Sequence, residues 1–425
     1  MAREIIDANP VTPGRSVDSF ASLRIDAYRS LFTIGAFGFL ATQSQVIARG
    51  WLANDLADSN AGLGGVFMAF GIPMLVATPL AGVAADRYAR RTILVVTFAM
   101  LAASSLWIAA AVSTGTVAYW MLLATSAIQA VAFSFMVPAR MALTVEVVGR
   151  DLLPNAIALG QMSMNSARVV GPALAGLFIG VSWIGVGGVY YAAAALSSFA
   201  VAGSWRLPVG RPSADRPATS VRAEFAAGLS YVRRFRPIAD LLVVSFVVVM
   251  IGFPFMAFLP RFATDDLHVG SSGYGLLAAV SAVGAVALSF AIAGRAEGKS
   301  AWRIQSAAGV TFGVGLVLLA IAPGYLAAAA AVTCVGAASA GFQAMNNTLV
   351  LALSDLEYHG RVQSLMMLSF SGFGMAALPL GVLADAIGLR QTIAVMGAVV
   401  IVAVLVHRST TSRPVVSPIS ADPAA

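Results

Sequence analysis

The chain has 425 residues, 59% of them hydrophobic and only 11% charged, with a mean hydropathy of +0.85. Soluble domains carry about 25% charged residues, so this composition argues against a soluble enzyme; the apolar runs argue against a disordered chain and the 40 glycines against one long coiled coil. The 26 Lys+Arg exceed the 19 Asp+Glu to give a net charge of +7, and in so apolar a chain the placement of the charges matters more than their sum.

Residues 1–29 are polar and hold no separate apolar core, so they read as a tail and not as a cleavable signal peptide. About 20 mostly apolar residues cross the hydrocarbon core. Twelve segments reach that length: 30–52, 62–83, 93–113, 117–138, 155–180, 184–204, 239–260, 272–293, 303–322, 325–352, 363–384 and 391–407. The expected fold is an all-α membrane protein of 12 transmembrane helices. An N-terminal six-helix bundle covers 30–204, a linker rich in Arg, Pro and Ser covers 205–238, a C-terminal bundle covers 239–407, and a tail covers 408–425. Within the linker, Phe225, Leu229, Val232 and Phe235 recur at helical spacing among Arg222, Arg233, Arg234 and Arg236, the pattern of an amphipathic helix on a membrane surface or of a solvated basic linker.

If the N-terminus is cytoplasmic, 22 of the 26 basic residues fall in the tails and inner loops, and only Arg261 and Arg390 fall outside. That asymmetry predicts two cytoplasmic termini. Trp51, Trp120, Trp183, Trp205 and Trp302 lie at span ends, where an interfacial belt is expected. The lone Cys334 excludes an internal disulfide framework.

Three helices share a pattern: Pro79-Leu80-Ala81-Gly82-Val83-Ala84-Ala85-Asp86, Gly171-Pro172-Ala173-Leu174-Ala175-Gly176 and Pro379-Leu380-Gly381-Val382-Leu383-Ala384-Asp385. Each belongs to the middle span of a three-helix set, as nested inverted repeats require, and small residues there permit close helix contact. The loop from Gly82 through Asp86-Arg87-Tyr88-Ala89-Arg90-Arg91 resembles the loop signature of the major facilitator superfamily, with Ala89 where a second glycine is usual. A degraded copy, Gly294-Arg295-Ala296-Glu297-Gly298-Lys299, follows span 8. Pro138-Ala139-Arg140, Glu146-Val147-Val148, Arg150-Asp151-Leu152-Leu153 and Asn165 through Gly176 are similar to the branch containing enterobactin exporters and macrolide efflux proteins. Gly171-Pro172 is also similar to the signature of drug/proton antiporters. The resemblance implies export; the residues alone imply a transporter.

Charged groups inside spans are costly and are functional candidates by default. Arg49 shares one face of span 1 with Thr42 and Gln45, and its alternative is snorkelling to the nearby interface. Arg168 lies along one face of span 5 with Gln161 and Asn165, and its alternative is a structural bond to a neighbouring helix. The resemblance implies that spans 1, 4, 7 and 10 line a cavity, which makes Gln129, Gln343, Asn346 and Asn347 expected substrate contacts alongside Gln45, Arg49, Asn165 and Arg168; interhelical bonding is the alternative. Phe246, Phe253, Phe255 and Phe258 of span 7 suit an apolar cavity wall or a lipid-facing surface. For gating and coupling the candidates are Gly82, Asp86, Arg87, Arg90 and Arg91 as an inner latch, Arg140 and Glu146 as its partners, and Asp240 as a peripheral carboxylate.

No Asp or Glu lies deep in a span, and His268, His359 and His407 lie at span edges or in loops. Proton antiport is therefore an expectation from the family alone. No phosphate-binding G-x-x-x-x-G-K-[ST] run, H-E-x-x-H run or Cys/His cluster is present, so no enzyme activity, cofactor or metal is expected. The expected function is secondary-active export of an amphipathic small molecule (a siderophore, secreted metabolite or drug), with metabolite uptake or a non-transporting sensor or scaffold as the alternatives. The expected partners are that substrate, protons and the lipid bilayer, with no nucleic acid, in a monomer. An excess of 25 arginines over one lysine suggests high-GC coding and a bacterial inner membrane.

Overall fold

The computed structural model describes residues 20–181, 183–210, 229–292, 298–355 and 358–411. Hydrocarbon offers the backbone no hydrogen-bond partners, so long apolar runs satisfy their own N–H and C=O groups as helix. The described residues contain helix and no strand. In the first half, α1 is Asp26–Leu56, α2 Asn60–Arg87, α3 Arg90–Ser113, α4 Tyr119–Gly149, α5 150–180 and α6 Gly185–Ser204. In the second, α7 is Arg236–Asp266, α8 Ser271–Ile292, α9 Gly298–Ala320, α10 Tyr325–Leu353, α11 His359–Ile387 and α12 Leu389–Thr410. Among the described residues, 10 helices are long and apolar enough to cross a membrane. The others, α5 and α11, are consistent with the twelve expected spans.

Several boundaries depart from the sequence reading. The expected inner loop after residue 138 is helical, because Ala139, Leu143 and Val148 keep a buried apolar stripe going to the end of α4. The helix breaks at Gly149, whose φ of 69° favours glycine. In α7, π-helical turns occupy Val248–Gly252 and Phe262–Asp266. The first precedes Pro254, where a wider turn accommodates the missing N–H and the ring. Phe255 and Phe258 pack in the core instead of lining a cavity, Phe253 meets Phe312 edge-on, and Phe246 remains partly exposed. Of the expected tryptophan belt, Trp120, Trp183 and Trp205 are exposed, but Trp302 is buried against His407 and Trp51 stacks on Tyr274.

The linker is described at 205–210 and from residue 229, so Arg222, Phe225 and the rest of 211–228 lie outside the described residues, as do 294–297 of the degraded loop copy. Residues 229–234 form a helical turn whose Tyr231 and Val232 are buried against the second half, while Phe235 stays partly exposed. Tyr231 stacks on Tyr358 with ring centroids 4.0 Å apart, and its hydroxyl donates to Asp355 Oδ2 at 3.1 Å. Burial raises its phenol above the ordinary value, so it remains a donor at neutral pH.

The halves touch along α2–α11 and α5–α8. Both crossings are tight at the end away from the chain termini. A methyl at Gly176 would lie 2.2 Å from Gly275 Cα, one at Gly71 2.8 Å from Gly374 Cα, and one at Gly64 2.2 Å from the Ala377 carbonyl oxygen. Polar contacts complete this closure. Asp385 of α11 accepts the Asn60 and Ala61 N–H groups at 2.8 and 2.9 Å, which caps the start of α2. Asn54 donates to Thr264 at 3.4 Å, and Arg261 to the Asp58 carbonyl at 3.2 Å.

Toward the termini the same helix faces come apart. On α2 the contact line runs from buried Gly71 to exposed Pro79 and Gly82, and a Cβ on Gly82 would meet nothing. On α5 it runs from buried Pro172 and Gly176 to exposed Ala158, Met162 and Asn165. The result is a cleft closed at one end and open at the other.

Overpacking a tight crossing costs about 1–3 kcal/mol, so Gly275→Leu should hold the closed end apart. Oxidative cross-linking of Asn54→Cys with Thr264→Cys, in a Cys334→Ser background, should fall accordingly. Asp385→Asn removes a charge–dipole attraction of about 0.3–1 kcal/mol at an exposed helix end. The same cross-link should then drop with an up to about five-fold change in the closed-to-open ratio.

Candidate functional site

α1 and α4 run antiparallel, and their facing residues bury a polar cluster near the closed end. Thr42, Gln45 and Arg49 share one face of α1 and are buried. Arg49 Nη1 donates to Ser126 Oγ of α4 at 3.1 Å, and its guanidinium lies 5.9 Å from the Phe70 ring. Arg49 therefore turns into the bundle and does not snorkel outward. Gln129, one turn along α4 from Ser126, is buried with its Oε1 unpartnered, while Gln45 Nε2 reaches only the Ala41 carbonyl at 3.3 Å.

Arg168 occupies a different setting. Gly171 packs on Gln43 and Ser44 of α1, and Gly176 packs on Gly275 of α8. At about 100° per residue, Arg168 falls on the shorter arc between those two faces, which is the interior side of α5. Its side chain is solvent-accessible on that side. No carbonyl or neighbouring helix takes its guanidinium in a hydrogen bond among the described residues. Asn165 and Gln161 continue the exposed face toward the open end.

The α10 amides lie in the other half, and no hydrogen bond joins them to the arginines among the described residues. Asn346 is fully buried with both amide atoms unpartnered, and Gln343 Nε2 and Asn347 Oδ1 are also unpartnered, among the described residues. Unsatisfied buried amides are expensive, which makes this patch the polar counterpart of the arginine-bearing half.

The gating candidates separate into three groups. Arg90 pairs with Glu146, tying α3 to α4 inside one half. Arg91 lies 5.9 Å from the Trp205 ring and donates to the Leu207 carbonyl at 3.4 Å. Arg87 is exposed, and the side chain of Asp86 lies outside the described residues. Arg140, expected beside this loop, is instead inside the bundle. The prolonged α4 places it about 13 Å of helix from Gly149, 4.7 Å from the Phe39 ring, against Gly35 of α1 and Gly160 of α5, with Nε unpartnered. Its guanidinium lines a small cleft with Tyr28, Thr144 and Gln161. Asp240, expected as a coupling carboxylate, accepts the Thr411 hydroxyl at 2.9 Å, and Thr411 also contacts His407 at 3.0 Å. It fastens the end of α12 to α7.

Sequence reasoning missed Asp385 as a helix cap. The signal was present, because Pro379–Asp385 repeats Pro79–Asp86; what was lacking was the partner, Asn60, 325 positions away. Tyr190 and Tyr274, buried beside Arg49, carried no motif.

Residues 17–420 match the transmembrane secretion effector family. The multidrug efflux pump Tap of Mycobacterium tuberculosis and that of Mycobacterium bovis are each 27% identical over 369 residues, covering 82% of this chain and 84% of theirs. The nucleoside transporter NupG superposes with a TM-score of 0.69 at 15% identity, over 90% of this chain and 98% of that one. A bacterial homologue of the human lysosomal transporter Spinster, inward-facing and occupied, gives 0.71 at 15% identity over 93% and 97%. A POT family transporter in complex with 5-aminolevulinic acid gives 0.73 at 10% identity over 92% and 96%. The twelve-helix pattern, the cleft between two halves and the loop signature thus coincide with a match over nearly the whole sequence, and the chain belongs to the transmembrane secretion effector family of major facilitator transporters, as a multi-pass membrane transporter and not an enzyme.

Proposed function

We propose that this chain exports an amphipathic small molecule from a bacterial cytoplasm across the inner membrane, as a monomer with both termini inside, by alternating access coupled to proton entry. The observation that carries the reading is the asymmetric cleft: backbone-to-backbone contact at Gly176–Gly275 and Gly71–Gly374 seals one end, and the helix faces part toward the end that bears the termini. The excess of basic residues on the terminal side supports placing that open end in the cytoplasm. The likeness to efflux pumps named Tap supports the outward direction.

In this scheme the substrate enters between α5 and α8 and meets the polar residues of the first half, with Gln343, Asn346 and Asn347 opposite. Rocking of 30–204 against 239–407 about the cleft then opens the sealed end. In that second state Asp86 and Arg87 close the cytoplasmic side, while Arg90–Glu146 keeps α3 and α4 moving together. A proton carrier must change partners between the two states. The carboxylate placed to do so is Asp86, at the open end; Glu146 is paired with Arg90 and Asp240 accepts from Thr411.

Accumulation of fluorescent amphipathic dyes and radiolabelled macrolides in an efflux-deficient bacterium tests this reading. Expression should lower accumulation several-fold, and both a protonophore and Asp86→Asn should abolish the effect. Raised accumulation would mean uptake, and no change with the protein present in the membrane would remove multidrug export.

A further inference from the structure

The cleft carries cations without counter-ions. Arg49, Arg140 and Arg168 all lie in membrane-spanning helices of the first half, and none forms an ion pair among the described residues. Arg49 has a serine hydroxyl and a ring, Arg140 has a ring, and Arg168 has no hydrogen-bond partner among the described residues. The acidic residue of α5, Asp151, lies 17 residues from Arg168, about 25 Å along the helix. Positive charge at membrane depth is costly unless it is paired or reaches a water-filled cavity. These side chains are accordingly held ready for an anion.

Their arrangement specifies more than charge. Gly160, beside Arg140, and Arg168 are two turns apart, about 12 Å along α5, with Gln161 and Asn165 between them on the exposed face. The ladder runs from the open end toward the closure at Gly176. The facing wall has the opposite character. Helical register from Gly275, the residue of α8 that touches α5, brings Ala279, Ala282 and Val286 onto the same line. The next residue on this line, Ser289, gives its hydroxyl to the Ala285 carbonyl at 2.8 Å, and none of the four offers a charge.

We infer that the transported molecule is an amphipathic anion, with a carboxylate or sulfonate group held by Arg140 and Arg168 and an apolar body lying against α8. The assignment rests on the reading of the chain as an exporter of amphipathic molecules and names the substrate class for the same cleft. It also predicts discrimination against lipophilic cations, which would meet the Arg168 guanidinium with no carboxylate paired to it among the described residues.

The test uses the full chain in phosphatidylcholine nanodiscs and three probes with the same acyl chain: N-lauroylglycine (anionic), N-lauroylglycinamide (neutral) and lauroylcholine (cationic). Binding is measured calorimetrically against empty discs. The anion should bind about ten-fold tighter than the neutral probe, as a charge-assisted hydrogen bond allows, and the cation should bind weakest. Arg168→Gln and Arg140→Gln should each remove most of that preference, lowering the anion-to-neutral ratio toward one, and Arg168→Lys should retain part of it. Should a glutamine variant fail to fold, the wild-type anion-to-neutral ratio and its decline with added salt decide the matter alone. Equal binding of all three probes, preference for the cation, or an anion preference that survives both glutamine substitutions overturns the inference. If no probe binds and no dye or macrolide is exported by cells, the exporter reading itself fails; export of neutral or cationic compounds without anion binding removes only the substrate class.

Discussion

The approach of α5 to α8 at Gly176 and Gly275 is the contact on which the remaining geometry depends. With two glycines facing each other, the backbones meet directly, and the interface is made of packing with no hydrophobic driving force behind it. Such a contact is tight when formed and leaves no greasy surface to desolvate when broken, which suits a joint that must open and close repeatedly. Its partner crossing, Gly71 on Gly374, obeys the same rule at α2 and α11. Because both crossings are tight at one end only, each helix pair acts as a wedge, and the cleft between the halves is the gap it leaves.

Polar chemistry then selects which end is closed. Asp385 sits at the end of α11 and takes the free N–H groups at the start of α2, so a carboxylate meets the positive end of a helix dipole across the boundary between halves. Asp86 ends α2 in a sequence repeat of the same form. The inverted relation of the two helices gives each half one acidic helix end, and a rocking motion can use them alternately.

The three arginines of the first half follow from the opposite constraint. Charge left unpaired at membrane depth is costly, and aromatic faces, hydroxyls and access to water limit that cost. Phe70 serves Arg49 and Phe39 serves Arg140, whereas Arg168 opens onto the cleft.

Hydropathy determined the helical class, the approximate spans and the bipartite plan, because a bilayer accepts only self-satisfied backbone and about 20 residues per crossing. The loop at Gly82–Arg91 and the run at 138–176 determined the superfamily. Tertiary structure alone decided where the charges act. Arg140 reads as an inner-loop residue until helix α4 is seen to continue to Gly149, and the hydroxyl that Asp240 accepts comes from Thr411, 171 positions away. Asp385 becomes a cap only when α2 arrives beside it. Periodicity reports which face of a helix is apolar, but the partner of a polar group is set by contacts hundreds of residues apart in sequence, and those exist only after the two bundles have packed.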